Sequence, residues 1–126
     1  MRFELAPYRV LAKNTQGWHI LHLGDDRVQF DFGPFAFAVS RAGFQLIHGL
    51  AEAALSAPQH AGCIAHVSVE RSVWFDPQQM CLLVVFDGMV LRFRPHELLA
   101  FTMLCREAAG VLGVTPGSLP GAGTLN

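Results

Sequence analysis

The sequence predicts an α+β fold: a mainly antiparallel sheet of about six or seven strands with two helices packed on one face. Three observations lead there. Large apolar residues alternate with period two, as at Val28, Phe30 and Phe32 and again at Leu82, Val84 and Phe86. Turn signals, Gly33-Pro34 and Asp87-Gly88, interrupt that alternation. After each resulting hairpin the spacing changes to that of a helix, at Phe44, Ile47, Leu50 and Ala51 and at Leu98, Phe101, Leu104 and Cys105.

These features come twice. Val28–Ala54 lies over Leu82–Ala108 at a displacement of 54 positions, which takes Leu50 onto Leu104. The apolar positions coincide throughout although identities are few, and two periodicities match in the same order. The chain therefore reads as two tandem βββα repeats, about 18–55 and about 66–112, related by a pseudo-two-fold axis within one domain spanning 1–114.

In order along the chain, Phe3–Ala12 reads as an opening strand, ended by the turn-forming Asn14-Thr15-Gln16-Gly17. Trp18–Leu23, the Gly24-Asp25-Asp26 turn and Arg27–Phe32 form the next two strands. A two-residue loop at Gly33-Pro34 sets Phe32 opposite Phe35, Phe30 opposite Phe37 and Val28 opposite Val39, so all six share a face. Ser40 suits the N-cap of a helix running to about Leu55, whose Gly43 and Gly49 each cost roughly 1 kcal/mol of helix propensity. Ser56–Gly62 is a linker, and one strand is expected from about His66 to Phe75 before the Asp76-Pro77 turn. Asp87-Gly88 fits a type I′ turn, pairing Phe86 with Met89, Val84 with Leu91 and Leu82 with Phe93. Pro95 suits the first position of the second helix and Gly110 its stop. Residues 115–126 read TPGSLPGAGTLN and suggest a flexible tail.

Composition narrows the function. Hydrophobic residues make up 52% and charged residues only 15%, which leaves few polar side chains to cover a surface and points to apolar area facing a partner. A net charge of −1, with no Lys/Arg run, argues against nucleic acid and against a membrane surface. No apolar stretch follows a basic start, and no run is long enough to span a bilayer, so a cytoplasmic protein is expected. Three cysteines without a CxxC pair suit free thiols in a reducing compartment.

The two halves differ on the face opposite the core. The first hairpin shows Gln29, Asp31, Ala36 and Ala38 there; the second shows Leu83, Val85 and Val90, with Arg92 and Arg94 at the rim. The second helix adds Leu99, Met103 and Val111 off its core stripe. Either the second half is covered on both faces by the rest of the chain, or Leu83, Val85, Val90, Arg92, Leu99 and Met103 form a protein interface, with a second copy as partner.

Chemical motifs are sparse. His60, Cys63 and His66 read H-x2-C-x2-H, a weak metal candidate, because in a regular strand the two histidines share a face and Cys63 points away. His19 and His22 fall on opposite strand faces, and Cys105 sits at a core position with no base in register. The carboxylates Asp25, Asp26, Asp76 and Asp87 occupy turns, and Glu97 suits the first turn of its helix. Trp18 and Trp74 suit core packing, with a pocket as the alternative. No phosphate-binding, nucleophile-elbow or zinc-protease motif is present, and no catalytic residue or cofactor is assigned. The reading that results is a non-catalytic cytoplasmic binding or adaptor module acting as a homodimer. The alternative is a small-molecule or metal-binding protein, with enzyme activity included, whose site lies between the two repeats.

Overall fold

Side chains in the turns fix where the strands end. The Asn14 carboxamide oxygen accepts from the Gln16 and Trp18 amides, both at 3.1 Å, and closes the first turn. Asp25 accepts from Arg27 N at 3.2 Å, Asp31 from Gly33 N at 2.8 Å and Asp76 from Gln78 N at 3.0 Å. Asp87 and Gly88 take φ of 48° and 88°, the left-handed pair that a type I′ turn needs.

The computed structural model describes residues 7–117. Among them the order is β1 (Tyr8–Lys13), β2 (His19–Leu23), β3 (Val28–Asp31), β4 (Ala36–Val39), α1 (Arg41–Ser56), β5 (Gly62–Ser68), β6 (Arg71–Asp76), β7 (Cys81–Phe86), β8 (Met89–Phe93) and α2 (Pro95–Leu112). The strands form two antiparallel meanders, β1-β2-β3-β4 and β5-β6-β7-β8. The α+β class holds and both hairpins pair in the expected register, Phe30 with Phe37 and Val84 with Leu91.

Four expectations are corrected. The strands make two four-stranded sheets rather than one sheet of six or seven. Each unit is ββββα rather than βββα, because the segment read as one strand from His66 to Phe75 is the hairpin β5–β6, with Ser68 paired to Arg71. Its turn, Val69-Glu70, holds neither Gly, Asn, Asp nor Pro, so the usual punctuation is missing. Gly110 lies inside α2; the left-handed C-cap is Gly113, at φ 73°, whose amide bonds to Ala109 O. The start of the expected tail is hydrogen-bonded to α1: Gly117 N donates to Gln45 O at 2.8 Å and Gln45 Nε2 donates to Thr115 O at 3.0 Å. Residues 118–126, and the first residues of the expected Phe3–Ala12 strand, lie outside the described residues.

Each helix begins where its sequence signals. The Ser40 hydroxyl accepts from Gly43 N at 3.0 Å, and Glu97 accepts from Arg94 N at 2.8 Å behind Pro95 at the first position. The helices then cross over. α1 packs mainly on β5 and β6 of the second sheet, α2 on β1 and β2 of the first, and the two helices touch. One core results, with Phe30, Phe44, Phe101, Ile20, Ile47 and Leu50 fully buried. Phe101 of α2 ties the sheets together, its ring 5.5 Å from Phe30 and 5.0 Å from Phe93.

Candidate functional site

Strand pairing assigns each face of the second sheet. Trp74 opposes Leu83 and Leu83 opposes Arg92; one step along, Ser72 opposes Val85 and Val85 opposes Val90. These residues turn away from the core side, where Val73, Leu82, Val84, Leu91 and Phe93 are buried. The outward face is therefore apolar, with Val90 59% and Trp74 42% exposed and Leu83 and Val85 half-buried. Ser72 takes the Trp74 indole N–H at 2.9 Å and fixes that ring on the surface. Arg92 reaches Gln79 Oε1 at 3.0 Å at the border. On the matching face of the first sheet β3 and β4 carry Gln29, Asp31, Ala36 and Ala38, polar or small as the sequence indicated, while β2 and β1 add Leu21 opposite Gln29 and Val10 opposite Leu21.

Of the six interface residues read from the sequence, Leu83, Val85, Val90 and Arg92 share this face. Leu99 and Met103 do not; they lie on the outward side of α2, 48% and 58% exposed, and Met103 adjoins the β1–β2 turn at Asn14 and Gln16. The reading that the rest of the chain covers the second half on both faces fails for these exposed positions.

The apolar face runs through Val90 into an aromatic cleft of about 410 Å³ where the two sheets meet. Trp18, Phe32 and Phe35 wall one side, and Val90 to Phe93 the other, with Glu97 beside them. Trp18 stands edge-on to Phe32 at 5.3 Å and to Phe93 at 6.1 Å. Trp18 is thus a pocket-lining residue, and Trp74 a surface one; core packing describes neither fully. The signal for the cleft was present in the sequence, because Phe32 and Phe35 flank the Gly33-Pro34 turn and a hairpin tip projects its flanking side chains.

The structure does not bring the H-x2-C-x2-H residues together. A β-bulge between Cys63 and Ala65 adds a residue, so Cys63 opposite Trp74 and His66 opposite Ser72 share the outward face, against the regular-strand expectation. His60 precedes the strand, exposed, with Nδ1 3.1 Å from Ala61 O. Among the described residues no three His, Cys, Asp or Glu side chains gather to hold a metal ion.

Sequence reasoning passed over one buried group. His48, 1% exposed, brings Nε2 within 2.9 Å of Glu52 Oε2, and Arg106 donates to both Glu52 oxygens at 2.7 Å. His48 Nδ1 has no hydrogen-bond partner among the described residues. Burial pushes His48 below the ordinary imidazole value against the pull of Glu52, while Arg106 holds Glu52 below the ordinary carboxylate value. Burial thus favours the neutral ring, and the carboxylate facing Nε2 favours the proton there rather than on Nδ1. The spacing of His48 and Glu52, one helical turn apart, was its signal. Cys105 is fully buried and its thiol pushed up by burial, which disfavours nucleophilic thiolate chemistry there.

No helix among the described residues is long and apolar enough to cross a membrane. None of the protein-family models, curated proteins and solved structures compared with the chain matches it.

Proposed function

We propose that the protein is a non-catalytic cytoplasmic binding module whose outward second-sheet face docks a second copy of the chain. The observation that carries this is the apolar strip Trp74, Leu83, Val85 and Val90, with Trp74 and Val90 exposed, where β3 and β4 of the first sheet carry the polar or small Gln29, Asp31, Ala36 and Ala38. Aromatic and aliphatic side chains gathered on one face behind a charged border have the character of an interface core. A two-fold axis through that strip brings it against itself and buries it from both sides. Leu99 and Met103 are left outside this contact.

Light scattering on a size-exclusion column across a dilution series is the test. The expected result is a dimer for the natural chain and a folded monomer for Val85→Glu and for Val90→Glu. A natural chain that is monomeric at every concentration would sink the proposal, as would folded variants that remain dimeric. The second reading, a small-molecule protein with its site between the halves, is favoured by the aromatic cleft alone, whose volume is of ligand size.

A further inference from the structure

Among the described residues β4 and β8 are each paired on one side only, β4 with β3 and β8 with β7. The Phe32 N to Phe35 O bond of 2.8 Å sets the alternation in the first hairpin. Phe37 and Val39 then exchange hydrogen bonds with β3, while Ala36 and Ala38 turn their N–H and C=O groups to the open side. Counting from the Phe86–Met89 pair, Val90 and Arg92 do the same on β8. Both open edges wall the same gap. At one end lies the aromatic cleft, with Phe35 facing Val90 to Phe93. At the other a cleft of about 400 Å³ has Ala38 and Val39 on one wall, Met89 on the other and Leu46 of α1 alongside.

We propose that this gap is a slot for one extended peptide segment of a protein partner, which adds a strand between β4 and β8 and joins the two sheets. Two unsatisfied edges that repeat every second residue ask for donors and acceptors at the same repeat, and an extended main chain supplies them to both sides at once. Charge and shape define the side chains. Arg92 is held by the neutral Gln79 and has no carboxylate partner among the described residues, whereas Glu97 is already engaged by the Arg94 amide. The segment therefore carries an acidic residue for Arg92 next to a large apolar side chain for the Trp18, Phe32 and Phe35 rings. The slot does not depend on dimerisation through the outward face.

The test is selection of a displayed random-peptide library on the full chain, followed by titration of the synthetic winner. The expected peptides pair an aromatic or large aliphatic residue with Asp or Glu. Arg92→Gln and Ala38→Pro should each weaken the winner about tenfold or more; the second removes an N–H that β3 does not use, a change that edge strands accept. Ala38 lies on the first sheet, so the loss is separable from any effect on the dimer. Hydrogen exchange at Ala36, Ala38, Val90 and Arg92 should slow when the peptide is added. The proposal is overturned if no such peptides are enriched, or if both folded variants bind the winner like the natural chain. It is also overturned if those four amides are already protected in the free chain, as a second copy or residues 118–126 in the slot would make them. Should Ala38→Pro not fold, the exchange measurement and Arg92→Gln decide.

Discussion

Glu52 and Arg106 stand at equivalent positions of the two halves, 54 residues apart, and their side chains meet in a doubly hydrogen-bonded ion pair, both bonds 2.7 Å long. The separation equals the displacement that superimposes the two apolar patterns. The helices therefore meet at matching points, one contributing the anion and the other the cation. His48, on the buried side of the pair, uses the same carboxylate.

The cation is half-exposed and the carboxylate partly so, which limits what the pair contributes. A double-mutant cycle with Glu52→Gln and Arg106→Gln should give a coupling of about 1 kcal/mol in urea unfolding. Exchanging the charges, Glu52→Arg with Arg106→Glu, restores a pair but places a cation against His48. That variant should remain less stable than the natural chain; equal stability would mean His48 does not depend on Glu52.

Stability should fall as pH drops below the ordinary imidazole value. His48 and Glu52 are both depressed in the folded chain, so the unfolded chain binds more protons through the pH range in which each titrates. The contribution of His48 is complete above about pH 6.5 and declines as acid is added, by at most about 1.4 kcal/mol per pH unit, and Glu52 adds to the decline below about pH 4.5. Urea midpoints at pH 7.5, 6.5 and 5.5 for the natural chain and for His48→Gln check this; the variant should show the flatter profile.

Gly49→Ala should destabilise the full chain by about 1–3 kcal/mol although alanine is the better helix former. A Cβ at Gly49 would lie 2.3 Å from the Gly117 carbonyl oxygen, a backbone atom. In a chain cut after Val114 the clash is gone, and the same substitution should stabilise by up to about 1 kcal/mol. Thermal melts of the four proteins show whether the sign reverses.

Phe101→Ala should cost about 3–5 kcal/mol, because the ring is fully buried and contacts rings from both sheets. Unfolding followed by tryptophan fluorescence and by far-ultraviolet dichroism should still give one transition, shifted to lower denaturant. Two separate transitions would show that the halves unfold independently.

The hairpins around Gly33-Pro34 and Asp87-Gly88 and the helix starts at Ser40 and Pro95 were legible in the sequence because local chemistry determines them. The turn at Val69-Glu70 was not, since those residues carry no turn preference and the exposed Val69 resembles a strand residue. The division into two sheets was hidden for a different reason. Alternation tells which face of a strand is buried, not which neighbour it pairs with, so β4 and β8 read as members of one sheet. At the candidate site, Leu83, Val85, Val90 and Arg92 could be grouped from strand parity. Leu99 and Met103 could not be separated from them without knowing where α2 docks, and the bulge that brings Cys63 and His66 to one face leaves no mark on apolar spacing.

The crossing of the helices sets an order of events during synthesis. When β1 to β4 leave the ribosome, the helix that covers β1 and β2 has not been made, and α1 beside them belongs on strands still to come. The apolar side of β1 and β2, with Leu11 and Ile20, must wait for α2. Nascent chains stalled before Pro95 should accordingly bind chaperones and resist compaction, and release should coincide with emergence of the last helix.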